Sequence, residues 1–134
     1  MITYKFPTAG ITLVLMLIFS LGCSRQMAMK TPQFEVSSSE QASVHEAIKQ
    51  ALLGRRWVIL ENHPDSFIAQ YNRSDVWARI RVTHSGREVS IMYVSSDGMK
   101  YSDASQFGPR ISRWYNTWVS NLEADIKVRV GATL

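Results

Sequence analysis

The sequence predicts an α+β fold: a two-layer sandwich in the order α-β-β-β-β-α, with an antiparallel meander sheet and both helices on one face. Three observations carry that prediction. Val44, Ala47, Ile48, Ala51 and Leu52 recur at helical spacing early in the domain, and Ile111, Trp114, Tyr115, Trp118, Val119, Leu122 and Ile126 do so near its end. Between them lie four runs of strand character divided by short, turn-rich loops. Such loops join antiparallel neighbours, and one face of an antiparallel sheet can bury the apolar stripes of two helices.

The first helix is expected over 40–53. Ser37 and Glu40 have the spacing of a capping box, and Gly54 stands where a helix commonly stops in the left-handed conformation. The strands are expected at 57–62, 67–71, 76–83 and 88–95. The third alternates most clearly: Val76, Ala78, Ile80 and Val82 take one face, Trp77, Arg79, Arg81 and Thr83 the other. Four-residue loops would set Val82 opposite Val89, Ile80 opposite Ile91, Phe67 opposite Ile80 and Leu60 opposite Ala69. The last helix is expected over 109–127, with Pro109 in its first turn and the tail after it loose.

That pairing leaves an outer sheet face. Ile59, Ile68, Trp77 and Met92 form an apolar patch there, flanked by Arg79 and Arg81. Aromatic, Met and Arg side chains are enriched in binding surfaces. These six residues are the candidate partner-binding face. A slip of one residue in the pairing would exchange the two faces.

The start of the chain bears on location. Lys5 precedes an apolar run over 11–19, followed by Ser20-Leu21-Gly22-Cys23. A charged start, a short apolar core and small residues before a cut are the parts of a secretory signal, and the run is too short to span a bilayer as a helix. Ser20-Leu21-Gly22-Cys23 resembles the lipobox of bacterial lipoproteins, although Ser20 stands where Leu is commonest. The resemblance implies removal of a signal peptide, 1–22, and acylation of Cys23, the only cysteine in the chain. Ser24, rather than Asp, follows that Cys, which in a Gram-negative cell implies the outer membrane, facing the periplasm. Residues 23–39 carry Pro32 and Ser37-Ser38-Ser39 without apolar periodicity, and are expected as a flexible tether to a single domain at 40–134.

The remaining composition excludes more than it assigns. The chain has 134 residues and a net charge of +4, with its charges scattered. A nucleic-acid binder would concentrate them in a basic stripe. His45, His63 and His84 do not stand at metal-ligand spacing, and neither a nucleophile elbow nor a phosphate-cradling glycine loop is present. No cofactor, metal site or catalytic centre is therefore expected. Each histidine reads as solvated helix or loop surface. Trp114, Tyr115 and Trp118 read as core at helical spacing, and Asn121 and Asp125 as a local hydrogen bond or a cap to the neighbouring sheet.

From Ala47 onward the chain resembles a family of small, uncharacterised proteobacterial lipoproteins. The matching residues are Ala47-Ile48, Ala51-Leu52, Trp57, Trp77-Ala78-Arg79-Ile80, Ile91-Met92-Tyr93 and Met99-Lys100-Tyr101, with Tyr115-Asn116, Trp118, Asn121-Leu122 and Asp125-Ile126 in the last helix. The resemblance implies a compact α/β domain and carries no activity. The leading expectation is a lipid-anchored periplasmic protein that binds another envelope component through its open sheet face. An envelope-acting hydrolase gathering His84, Asp97, Tyr101 and Asp103 is the first alternative. A structural lipoprotein needed only under envelope stress is the second.

Overall fold

The computed structural model describes residues 25–131. Nine elements follow in order: β1 (Gln26–Ala28), β2 (Gln33–Glu35), α1 (Gln41–Gly54), β3 (Val58–His63), β4 (Ser66–Arg73), β5 (Val76–Ser85), β6 (Glu88–Asp97), β7 (Arg110–Ser112) and α2 (Arg113–Val130). A five-stranded antiparallel sheet has the order β2-β6-β5-β4-β3, and β1 pairs with β7 in a second, two-stranded sheet. The predicted α+β class, with β3 to β6 as a meander, is what the chain adopts. One core joins Val44, Ile48 and Leu52 of α1 and Tyr115, Val119, Leu122 and Ile126 of α2 to Phe67, Ala69, Ile80, Val82, Val89 and Ile91 of the sheet. Both helices thus cover the same sheet face.

The hairpin turns are tighter than expected. Arg73 pairs with Val76 and Ser85 with Glu88, so each turn has two residues between paired positions. Val82 consequently lies opposite Ile91 and Phe67 opposite Val82, two positions from the expected partners. A shift of two preserves the side-chain alternation, so the inward and outward faces of β4 and β5 remain as predicted. In β3 a bulge at Leu60 changes the parity. Ile59 then pairs with Ala69 and packs against the core, while Val58 turns outward.

The helix ends differ for local reasons. Glu40 caps α1 without a side-chain hydrogen bond, so the expected capping box does not form. Its C-terminus closes two residues beyond Gly54. Arg56 adopts φ 62°, its amide donates to the Leu53 carbonyl at 3.0 Å, and the Trp57 amide donates to that of Leu52 at 2.9 Å. This pattern closes the last turn and carries Trp57 into the core. Pro109 precedes a strand instead of starting a helix. Ser112 caps α2, and Val128 and Val130, expected in a loose tail, belong to its last turn.

The largest correction concerns residues 26–35, expected within a flexible tether. They supply β1 and β2. Val36, next in the chain, is buried and its amide donates to the Arg87 carbonyl at 2.7 Å. Between the strands Asn116 binds both ways: its Oδ1 accepts from the Lys30 amide at 2.9 Å and its Nδ2 donates to the Ala28 carbonyl at 2.8 Å.

Gly98 illustrates how tightly the end of β6 packs. It has φ +71°, and an added Cβ would lie 2.5 Å from Val76 Cγ1. Gly86, at φ +58°, has open space around the same position. Gly86→Ala is expected to cost about 1–2 kcal/mol from the left-handed backbone alone. Gly98→Ala adds overpacking, for a total of about 2–4 kcal/mol. Urea unfolding of the two variants measures the difference directly.

Candidate functional site

Three places carry chemistry: the outer sheet face, a buried histidine pair, and a cavity where β7 meets α2.

On the outer face the pairing sets Ile68 opposite Arg81, Gln70 opposite Arg79 and Arg81 opposite Met92. A second bulge, at Val94, points both Val94 and Ser95 outward beside Arg79. Met92 is 51% exposed, and Val94 is exposed too. Arg79 is held by Gln70, whose Oε1 accepts from Arg79 Nε at 3.1 Å and Nη2 at 2.8 Å. Its guanidinium sits 5.4 Å from the centre of the Trp77 ring. The structure thus brings together Trp77, Arg79, Arg81 and Met92 of the six expected residues. Ile59 faces the core because of the bulge in β3. Ile68 is only 6% exposed, flanked across the strands by Glu61 and Arg81. Cys23 lies outside the described residues.

The histidine pair departs from the expectation of solvated surface. His84 is 2% exposed. Its Nε2 lies 2.8 Å from His45 Nδ1, and its Nδ1 lies 2.9 Å from Gln41 Oε1. Gln41 Nε2 donates to the Gly86 carbonyl at 2.8 Å, His45 Nε2 lies 2.8 Å from Asn62 Oδ1, and the His45 ring stacks on Phe67 at 4.3 Å between centroids. The chain of contacts fixes the protons. Gln41 donates to Gly86, so its oxygen accepts from His84 Nδ1–H. His84 Nε2 is then the acceptor, and His45 Nδ1 donates to it. On the other side of the His45 ring, Nε2 faces the Asn62 side-chain amide. Burial first, and the neighbouring His45 second, push His84 below the ordinary histidine value, with Asp65 pulling the other way.

This network ties α1 to β3 and β5. Among the described residues no Ser, Cys or carboxylate side chain lies in its hydrogen-bond chain. The sequence held a signal for it: His84 continues the inward alternation of Ala78, Ile80 and Val82.

The polar cluster expected of a hydrolase does not form. Trp77, which pairs with Asp97, is seven residues from His84 along β5, or about 23 Å at the rise of a strand. Tyr101 stacks on Tyr93 at 4.4 Å, and Asp103 is exposed. Asp125, expected to pair with Asn121, instead takes both bonds of Arg55, at 2.6 and 2.9 Å. That pairing holds the Asp125 carboxyl below the usual carboxylate range and raises Arg55. Among the described residues no three His, Cys, Asp or Glu side chains gather where a metal ion could sit.

The third place is a cavity of about 360 Å³ lined by Arg73, Ser74, Asp75, Gly98, Ser112 and Trp114, among others. Trp114, expected in the core, is 40% exposed at its rim. Its ring lies under two guanidinium groups, Arg73 at 4.7 Å and Arg113 at 5.2 Å.

No known family profile matches this chain, and no curated protein is detectably similar to it.

The depressed His84 sets a sign for pH dependence. The unfolded state binds the proton more readily, so the contribution of His84 to stability is complete above about pH 6.5 and declines as pH falls toward its lower folded value. Urea midpoints between pH 7.5 and 5 are expected to fall over that window. Nitrogen-15 shifts at pH 7 are expected to show His84 neutral, with the proton on Nδ1. A doubly protonated His84 at pH 7 would contradict the assignment.

Proposed function

We propose that the chain is a lipid-anchored bacterial envelope protein, held through Cys23, that binds another envelope component with the outer face of its sheet. The supporting observation is a sheet face that no helix among the described residues covers. Both helices pack on the opposite side, leaving Trp77, Arg79, Arg81 and Met92 on a surface that Val58 and Val94 extend. Arg79 is fixed by Gln70, so the cation over Trp77 is ordered before any partner arrives. An ordered aromatic and cation lose less entropy on binding than free side chains. Tethering raises the local concentration of such a face near a membrane-bound partner. The reading agrees with the resemblance to small proteobacterial lipoproteins and places no reaction in the domain. His84 and Asp97 lie toward opposite ends of the β5–β6 pairing, so their placement lends the hydrolase alternative no support.

Two measurements test the reading together. The intact mass of the native protein is expected to show an acylated Cys23, and Cys23→Ala to leave the membrane fraction. A photocrosslinking residue at Met92 is expected to trap an envelope partner that one at Val128, 74% exposed on α2, does not. Trp77→Ala with Arg79→Ala is expected to abolish the Met92 adduct. An unchanged pattern of adducts would count against the face.

A further inference from the structure

The first strand begins three residues after Cys23. A fully extended chain covers about 3.3–3.6 Å per residue, so an acylated Cys23 holds Gln26 within about 10 Å of the membrane attachment point. The domain therefore has little freedom to rotate away, and one surface faces the bilayer. The pairing of β1 identifies that surface. Gln26 lies opposite Ser112 and the strands are antiparallel, so the chain leading back to Cys23 runs toward Arg113 and Trp114. Gln26 Nε2 also donates to the carbonyl of Lys100, which brings an exposed lysine to the same exit.

Arg25, Lys100 and Arg113 are exposed there, and Arg73 joins them over the Trp114 ring. The cavity between Arg73 and Trp114 opens beside them, with Asp75 the acidic group in its lining. Basic side chains near a membrane surface are drawn to anionic headgroups, and a half-exposed Trp suits the boundary between headgroup and hydrocarbon. We propose that the junction of β7 and α2 docks on an anionic phospholipid surface through Arg25, Arg73, Lys100, Arg113 and Trp114. This proposal rests on the reading of Cys23 as the acyl attachment point. It leaves the outer sheet face free for a partner, since Trp77 and Met92 lie on the sheet surface away from the helices.

The test couples the chain from Cys23 onward, through the thiol of its only cysteine, to a maleimide lipid in vesicles. This tether does not depend on acylation in the cell. An unacylated native protein, seen by intact mass, would end the functional reading without altering the vesicle result. Nitroxide-labelled lipid in vesicles of phosphatidylcholine and phosphatidylglycerol supplies the quencher. Trp57 and Trp118 are buried, leaving Trp114 and Trp77 as reporters. Trp114→Phe is expected to remove most of the quenching and Trp77→Phe to leave it unchanged. A second arm leaves the core untouched. With Cys23→Ser and no lipid, binding to the same vesicles is expected to fall about fivefold for each cation neutralised in Arg25→Gln and Arg113→Gln. Quenching that follows Trp77, no quenching at all, or binding indifferent to both arginines would each overturn the proposal.

Discussion

Antiparallel pairing of residues 26–35 with the edge of β6 and with β7 is the constraint on which the rest depends. Without it the domain would swing on a long polar tether, and no surface would have a fixed relation to the attachment point proposed at Cys23. With it, the chain enters the fold at Gln26, beside the start of α2. Asn116 secures the passage between β1 and β2 by satisfying one backbone donor and one acceptor. The same pairing covers the start of the β6 edge, Glu88–Ser90, which would otherwise expose unpaired amides and carbonyls.

The sheet itself separates two tasks. Its inner face buries a continuous apolar core under α1 and α2. At one end that core gives way to the His84–His45 pair, whose hydrogen bonds run from Gln41 on α1 to Asn62 on β3. A buried imidazole without partners would cost stability, and this chain of contacts supplies partners at both ring nitrogens. Among the described residues the outer face carries no covering helix. Two bulges shape it, one turning Ile59 inward and the other bringing Ser95 outward beside Val94. The outcome is a mixed patch in which one cation, Arg79, is ordered over the Trp77 ring.

Helices and meander were legible because their apolar periods are long and consistent. Pairing distances were misjudged by two residues, which left the faces of β4 and β5 intact. A bulge moves a residue by one, which is why Ile59 was misplaced; no residue in 57–62 marks the bulge. β1 and β2 were invisible for a different reason. Edge strands three residues long, with Gln and Glu pointing to solvent, have no period to detect, and their partners lie far along the chain. Trp114 kept helical spacing with the core residues, yet Ile111 belongs to a strand, so the stripe begins at Tyr115. The histidine pair needed two elements brought together, and only the alternation of β5 hinted at half of it.

The central claim is that the N-terminal segment is part of the folded domain. Native-state hydrogen exchange of the amides of Met29, Val36 and Ile91 tests it most directly. Each donates to a carbonyl across the junction: Met29 to Pro109, Val36 to Arg87 and Ile91 to Pro32, at 2.7–2.9 Å. Protection approaching that of the β4–β5 hairpin is the predicted result. Exchange of Met29 and Val36 at the rate of an unstructured chain, while β4 and β5 stay protected, would contradict it. The segment would then be a tether after all, and the membrane geometry proposed from it would be lost.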